Sequence, residues 1–124
     1  MAKRILIIED EKIITKTLQK LLQTKGYDAD VVNSGKDALA KIKENDFNLI
    51  ICDIMMPEMD GIETIRAIRK VREAQGKSLI PEVIITGYAD ENKYKSAVAL
   101  NVAAYLYKPF ETDELLAAIK SNIK

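Results

Sequence analysis

Short β-branched runs alternate with helix-spaced apolar stripes along the whole chain, and that alternation limits the available folds more than any other feature. The runs are Ile5–Ile8, Ala29–Val32, Leu49–Cys52, Val83–Thr86 and Ala104–Tyr107. All but the second are almost continuously apolar, the pattern of parallel strands covered on both faces. The second carries polar neighbours and is expected nearer the edge of the sheet. Between the runs lie helical stripes. Ile13, Ile14, Thr17, Leu18, Leu21 and Leu22 form the first, with Gly26 placed to end it. Ser34 to Asp37 reads as a capping box ahead of Ala38, Leu39 and Ile42. Ile62, Ile65, Ile68 and Val71 make the third stripe, which ends near Gly76. Asp90 is placed to cap a helix through Leu100, and Thr112 to cap one carrying Leu115, Leu116, Ile119 and Ile123.

Strand and helix thus repeat five times, which implies an α/β domain with a parallel sheet and right-handed crossovers. A closed eightfold barrel needs about 250 residues. At 124 residues, an open three-layer sandwich spanning residues 1–124 as one domain is the expectation. The last helix runs towards Lys124, and no linker or separate output domain is legible.

Composition removes several functions. Lys and Arg total 19 and so do Asp and Glu, giving a net charge of zero. Direct nucleic-acid binding through a broad basic field is therefore not expected. No apolar run nears the ~18 residues that suggest a membrane helix. The start, Met1-Ala2-Lys3-Arg4, has no signal-peptide body. The lone Cys52 allows no internal disulfide, so the cytoplasm is the expected compartment. There is no histidine, which rules out Ser-His-Asp and Cys-His catalysis and His-ligated zinc.

Ligands of open α/β sheets bind beyond the carboxyl ends of the strands. Glu9 and Asp10 follow the first run, and Asp53 the third. Thr86 and Gly87 close the fourth, and Lys108 and Pro109 the fifth. Two unit charges ~4 Å apart interact by roughly 4 kcal/mol at an effective dielectric near 20. Gathered acids therefore take up a proton or attract cations. Lys108 supplies one positive charge. An all-oxygen set without Cys or His favours Mg²⁺, with Mn²⁺ or Ca²⁺ as substitutes. Carboxylate, Mg²⁺, lysine and hydroxyl together suit phosphoryl transfer, with Asp53 attacking phosphorus to form an acyl phosphate. Each residue alone has an ordinary explanation. An acid pair suits a helix start, Lys-Pro ends a strand, and Thr favours strands. Their occurrence in order, each at a strand end, is what selects the functional reading.

These residues resemble the receiver domain of bacterial two-component response regulators. The resemblance rests on Glu9-Asp10, Asp53-x-x-x-Pro57-x-x-x-Gly61, Thr86-Gly87 and Lys108-Pro109-Phe110, and covers essentially the whole chain. It implies a flavodoxin-like sandwich of five parallel strands in the order 2-1-3-4-5 with five helices. It implies that Asp53 takes a phosphoryl group from a sensor histidine kinase or phosphotransfer protein. Asp10 and Asp53 would ligate Mg²⁺, Glu9 would act through water, and the Met55 backbone carbonyl would complete the protein ligands. Lys108, before a cis proline, would pair with the phosphoryl group. Thr86 and Tyr105 would form the switch pair, altering the face of helix four, strand five and helix five for a downstream protein or output domain. Glu9 stands where Asp is usual. Met55 and Tyr88 occupy the positions that tune acyl-phosphate lifetime, and neither can orient an attacking water. Slow to moderate self-dephosphorylation is therefore expected. By this reading the chain catalyses only its own phosphorylation and dephosphorylation. It would be a monomer or a phosphorylation-dependent dimer.

Three rivals follow from the same residues. A haloacid-dehalogenase-type phosphatase needs a second Asp two residues after the nucleophile, where Met55 stands. A flavodoxin-like cofactor binder needs a phosphate-cradling loop, where Glu9 and Asp10 stand. A docking-only receiver has no use for Asp53, Thr86 and Lys108.

Overall fold

The computed structural model describes residues 2–87 and 89–124. Strands and helices alternate as β1 (Arg4–Ile8), α1 (Lys12–Thr24), β2 (Asp28–Val32), α2 (Gly35–Glu44), β3 (Leu49–Asp53), α3 (Gly61–Ala74), β4 (Glu82–Thr86), α4 (Glu91–Ala99), β5 (Ala104–Tyr107) and α5 (Thr112–Asn122). All neighbouring strands pair in parallel, in the order β2-β1-β3-β4-β5. The flavodoxin-like fold expected from the resemblance is the observed one.

Strand periodicity divides the core in two. Leu6, Ile8, Ile50, Cys52 and Ile84 point to one face, where they meet Ala38 and Ile42 of α2, Ile62, Ile65 and Ile68 of α3, and Ala97 of α4. Ile5, Ile7, Leu49, Ile51, Val83 and Ile85 point to the other, against Leu18 and Leu22 of α1 and Leu115 and Ile119 of α5. Two apolar faces on one strand explain the continuous apolar runs. At ~25 cal/mol per Å², full burial of each such side chain contributes about 1.5–3 kcal/mol before conformational entropy is offset.

Several local readings need correction. The first stripe is only half buried: Leu18 and Leu22 face the core, but Ile13 is 83% exposed and Thr17 is on the surface, while Thr15 is buried. β5 is an edge strand like β2, and Tyr107 is exposed, so its apolar run does not mark a strand covered on both faces. Thr112 is the first residue of α5, not its cap; Glu111 takes the cap position and makes no side-chain cap bond. Ser34 caps α2 through the Asp37 N–H. The reciprocal capping box lies instead at α3, where Asp60 accepts from the Glu63 N–H and the Asp60 N–H reaches the Glu63 carboxylate.

Candidate functional site

The sheet register delivers the polar residues to one edge. Ile8 pairs with Cys52, which places Glu9 beside Asp53 at the next position. Asp53 pairs with Ile85, which places Thr86 one step beyond. Thr86 pairs with Tyr107, and the Lys108 N–H donates to the Thr86 carbonyl at 2.7 Å. Lys108 and Pro109 are joined by a cis peptide bond. Thus β1, β3, β4 and β5 end at one edge of the sheet, where Glu9, Asp53 and Lys108 meet although they lie up to 99 positions apart in sequence.

Carboxylate oxygens of Glu9, Asp10 and Asp53 lie within 4.8 Å of one another. Glu9 is fully buried, Asp53 almost so, and Asp10 is exposed. The Lys108 ammonium lies 3.3 Å from both Glu9 carboxylate oxygens and 3.5 Å from Asp53 Oδ2. Asp53 Oδ1 accepts the Met55 N–H at 3.2 Å, which turns the following loop around the acid. Gly61 closes that loop from the far side. A Cβ at this position would lie 2.4 Å from the Asp53 carbonyl oxygen, so only glycine permits the approach. Asp10, Glu11, Asp53, Met55, Met56, Gly87 and Lys108 line an open cleft of about 330 Å³. A larger apolar groove, lined by Ile13, Leu21 and Phe110 among others, lies along α1 and reaches the cleft only through Lys108.

The electrostatics show an under-neutralised site. Burial pushes the Glu9 carboxyl up, and the nearby Asp53 charge adds to this; Lys108 opposes both, leaving Glu9 at about 7. Burial works against the charged Lys108 ammonium, but Asp53 and Glu9 overcome it and hold the amine above its ordinary value. One lysine does not balance three acids. A hard cation with oxygen ligands fits the donor set, which contains neither thiolate nor imidazole.

Thr86 is buried at the end of β4. Tyr105 lies on β5, packed edge-on against Tyr94 at 5.1 Å and against Tyr107 at 5.4 Å between ring centroids. Its hydroxyl is buried and has no hydrogen-bond partner among the described residues. Burial raises its pKa first, and the neighbouring Tyr107 adds to this. Tyr88, expected to tune acyl-phosphate lifetime, lies outside the described residues.

Comparison with known proteins decides the family. Residues 5–120 match the family model described as the response regulator receiver domain. The chain belongs to the response regulator receiver family. This receiver is 35% identical over 119 residues to the transcriptional regulatory protein ZraR of Escherichia coli K12, covering 96% of this chain and 26% of that protein. It is 33% identical over 121 residues to the CpxR homolog of Haemophilus influenzae, covering 98% of this chain and 50% of that protein. The receiver thus spans between a quarter and a half of these curated relatives. Among solved structures, it resembles a CheY-like receiver domain protein of Methanospirillum hungatei with TM-score 0.88 and 30% identity, covering 98% of this chain and 93% of that one. It also resembles chemotaxis protein CheY4 of Vibrio cholerae with TM-score 0.87 and 28% identity, covering 99% of this chain and all of that one.

Two features of the receiver went unread in the sequence. Glu11 reaches the Lys108 ammonium at 3.4 Å, a third acid on that amine. Asp60 and Lys93 pair across the gap between α3 and α4. Glu11 follows directly on an acid pair, so its presence at the mouth was available from position alone. Pairing of Asp60 with Lys93 needed the tertiary fold.

Proposed function

We propose that this receiver is a phosphorylation-operated switch in which Asp53 accepts a phosphoryl group with Mg²⁺ in place. The observation that carries the reading is the placement of Lys108 within 3.5 Å of Asp53 beside an acid cluster whose charge it does not balance. Glu9, Asp10, Asp53 and the Met55 backbone carbonyl would hold the ion, Glu9 through water. When bound, Mg²⁺ supplies charge neutralisation on the acids and on the transferring phosphoryl oxygens.

Asp53 uses one carboxylate oxygen to attack phosphorus. The new O–P bond forms as the donor's P–N bond to an imidazole breaks, and the leaving imidazole takes a proton from solvent. Lys108 pairs with a phosphoryl oxygen, and the Thr86 hydroxyl donates to another. The Met55 N–H, already on Asp53 Oδ1, orients the carboxylate for attack. Water resets the switch in a separate step, cleaving the acyl phosphate to restore the Asp53 carboxylate and release inorganic phosphate. The chain itself turns over no other substrate.

The phosphoryl group shifts the receiver only by as much as it prefers one arrangement over the other. Thr86 and Tyr105 are the residues that read it, and the face of α4, β5 and α5 is what a partner meets. A sensor histidine kinase or phosphotransfer protein would be the donor. A downstream protein or an attached output domain would be the reader, in the cytoplasm. No helix among the described residues is long and apolar enough to cross a membrane.

Intact-protein mass after incubation with Mg²⁺ and a small acyl-phosphate donor tests the reading. One added phosphoryl group, labile to hydroxylamine and missing in Asp53→Asn, is expected. An unchanged mass, or an adduct that survives in Asp53→Asn, would overturn it.

A further inference from the structure

We propose that Lys93, through its ion pair with Asp60, is the tether that makes α4 follow the loop behind Asp53. The proposal rests on the phosphoacceptor reading of Asp53 for its functional meaning, and on the ion pair and its surroundings for the tether itself.

α4 is weakly held. It has nine residues, and Ala97 is the only one fully buried. Its N-cap, Asp90, accepts from the Lys93 N–H, a bond within the first turn. Two ion pairs involve α4 among the described residues. Lys95 with Glu91 lies within the helix and is well exposed. Lys93 with Asp60 is the one that reaches another element. It is also better shielded, with Asp60 only 17% exposed. A helix with little apolar burial opens locally at low cost, so one directed contact carries a large share of its placement.

The far end of the tether is rigid and close to the acceptor. Asp60 is the N-cap of α3 and is fixed there by the capping box with Glu63. The next residue, Gly61, presses against the Asp53 carbonyl and donates its N–H to the Ile54 carbonyl at 2.9 Å. At the near end, Lys93 precedes Tyr94, whose ring packs edge-on against Tyr105. The pair therefore stands between the backbone of the acceptor and the aromatic cluster on β5. Burial alone would raise the Asp60 carboxyl, but the Glu63 N–H and the Lys93 ammonium hold it below its ordinary value. Asp60 also holds the Lys93 amine above its own. Both ends favour the charged pair.

Amide hydrogen exchange, read by peptide, tests the tether in the full chain. The variants are Lys93→Met, Asp60→Asn, the two combined, and Lys93→Arg. Asparagine keeps the N-cap bond while removing the charge. In the unphosphorylated protein, residues 91–95 should exchange roughly two- to fivefold faster in Lys93→Met and Asp60→Asn. The double variant should be no faster than either single one, and Lys93→Arg should match wild type. After treatment with Mg²⁺ and an acyl-phosphate donor, wild type and Lys93→Arg should show a change in α4 exchange. That change should fall by roughly half or more in the two tether-breaking variants although each still carries the phosphoryl group. Wild-type exchange at residues 91–95 in Lys93→Met, or additive effects in the double variant, would overturn the tether. A wild-type protein that gains no phosphoryl group would overturn the phosphoacceptor reading instead, while the unphosphorylated arm would still decide the tether.

Discussion

α3 and α4 pack on the same face of the sheet, and they are held there by different means. α3 buries Gly61, Ile62, Thr64, Ile65, Ile68 and Arg72 over 14 residues and begins in a reciprocal capping box. Its Arg69 also makes two hydrogen bonds to the buried Glu82 of β4, at 2.8 and 2.9 Å. α4 buries Ala97 alone and leaves Tyr94 and Val98 substantially exposed. The difference separates an anchored helix from a lightly held one. α3 fixes the loop around Asp53, since Gly61 at its start closes on the Asp53 and Ile54 backbone. α4 has little apolar burial to lose by shifting, which suits the partner-reading role proposed for its face.

The contrast is sharpest in truncations. Ile65→Ala should cost about 2–5 kcal/mol of unfolding free energy, since it leaves a cavity in a closed core. Val98→Ala, 58% exposed on α4, should cost under about 0.5 kcal/mol. Urea midpoints at unchanged slope measure both, and equal losses would erase the distinction. Gly61→Ala is next in size. The added methyl meets the Asp53 carbonyl oxygen at 2.4 Å and Ile54 Cα at 2.8 Å, backbone atoms that cannot swing aside. A loss of about 1–3 kcal/mol is expected, despite the better helix propensity of alanine. Asp60→Ala, which removes both the α3 cap and the ion pair with Lys93, should cost about 1 kcal/mol by the same measurement.

The smallest effect is in pH. The Asp60 carboxyl is held below the ordinary 3.8, so its contribution is complete above that value and is lost as pH falls through the lower folded value. The Lys93 amine is held above 10.5, so its contribution is present below that value and is lost as pH rises through the higher folded one. Exchange at residues 91–95 should therefore differ between wild type and Lys93→Met at neutral pH. The two should converge at pH values acidic enough to protonate Asp60.

How much of this was legible in the sequence follows the same division. The strands and α3 were readable because full burial writes a continuous or helix-spaced apolar pattern, as in Leu49–Cys52 and Ile62–Ile65–Ile68. Glu9, Asp10, Asp53, Thr86 and Lys108 were readable as a group because strand ends converge in an open parallel sheet. The edge role of β5 was not. Ala104–Tyr107 is apolar for a reason periodicity does not register: Tyr105 packs among other tyrosines, and Tyr107 remains exposed. The first helix misled because Ile13 is apolar yet lies over an open groove. Thr112 and Ser34 show that a residue of capping type marks a helix start to within one position, while the bond itself depends on local backbone geometry. The Asp60–Lys93 pair has a sequence separation of 33 and no local pattern, so only the fold reveals it.

Of three neighbouring acids, Asp53 is the one proposed to become phosphorylated. Borohydride reduces an acyl phosphate to the alcohol, which leaves a permanent mark on the residue that carried it. Treatment of the Mg²⁺- and donor-loaded protein followed by peptide mass mapping should place that mark at Asp53. A mark on Glu9 or Asp10, or no mark on any of the three, would contradict the account.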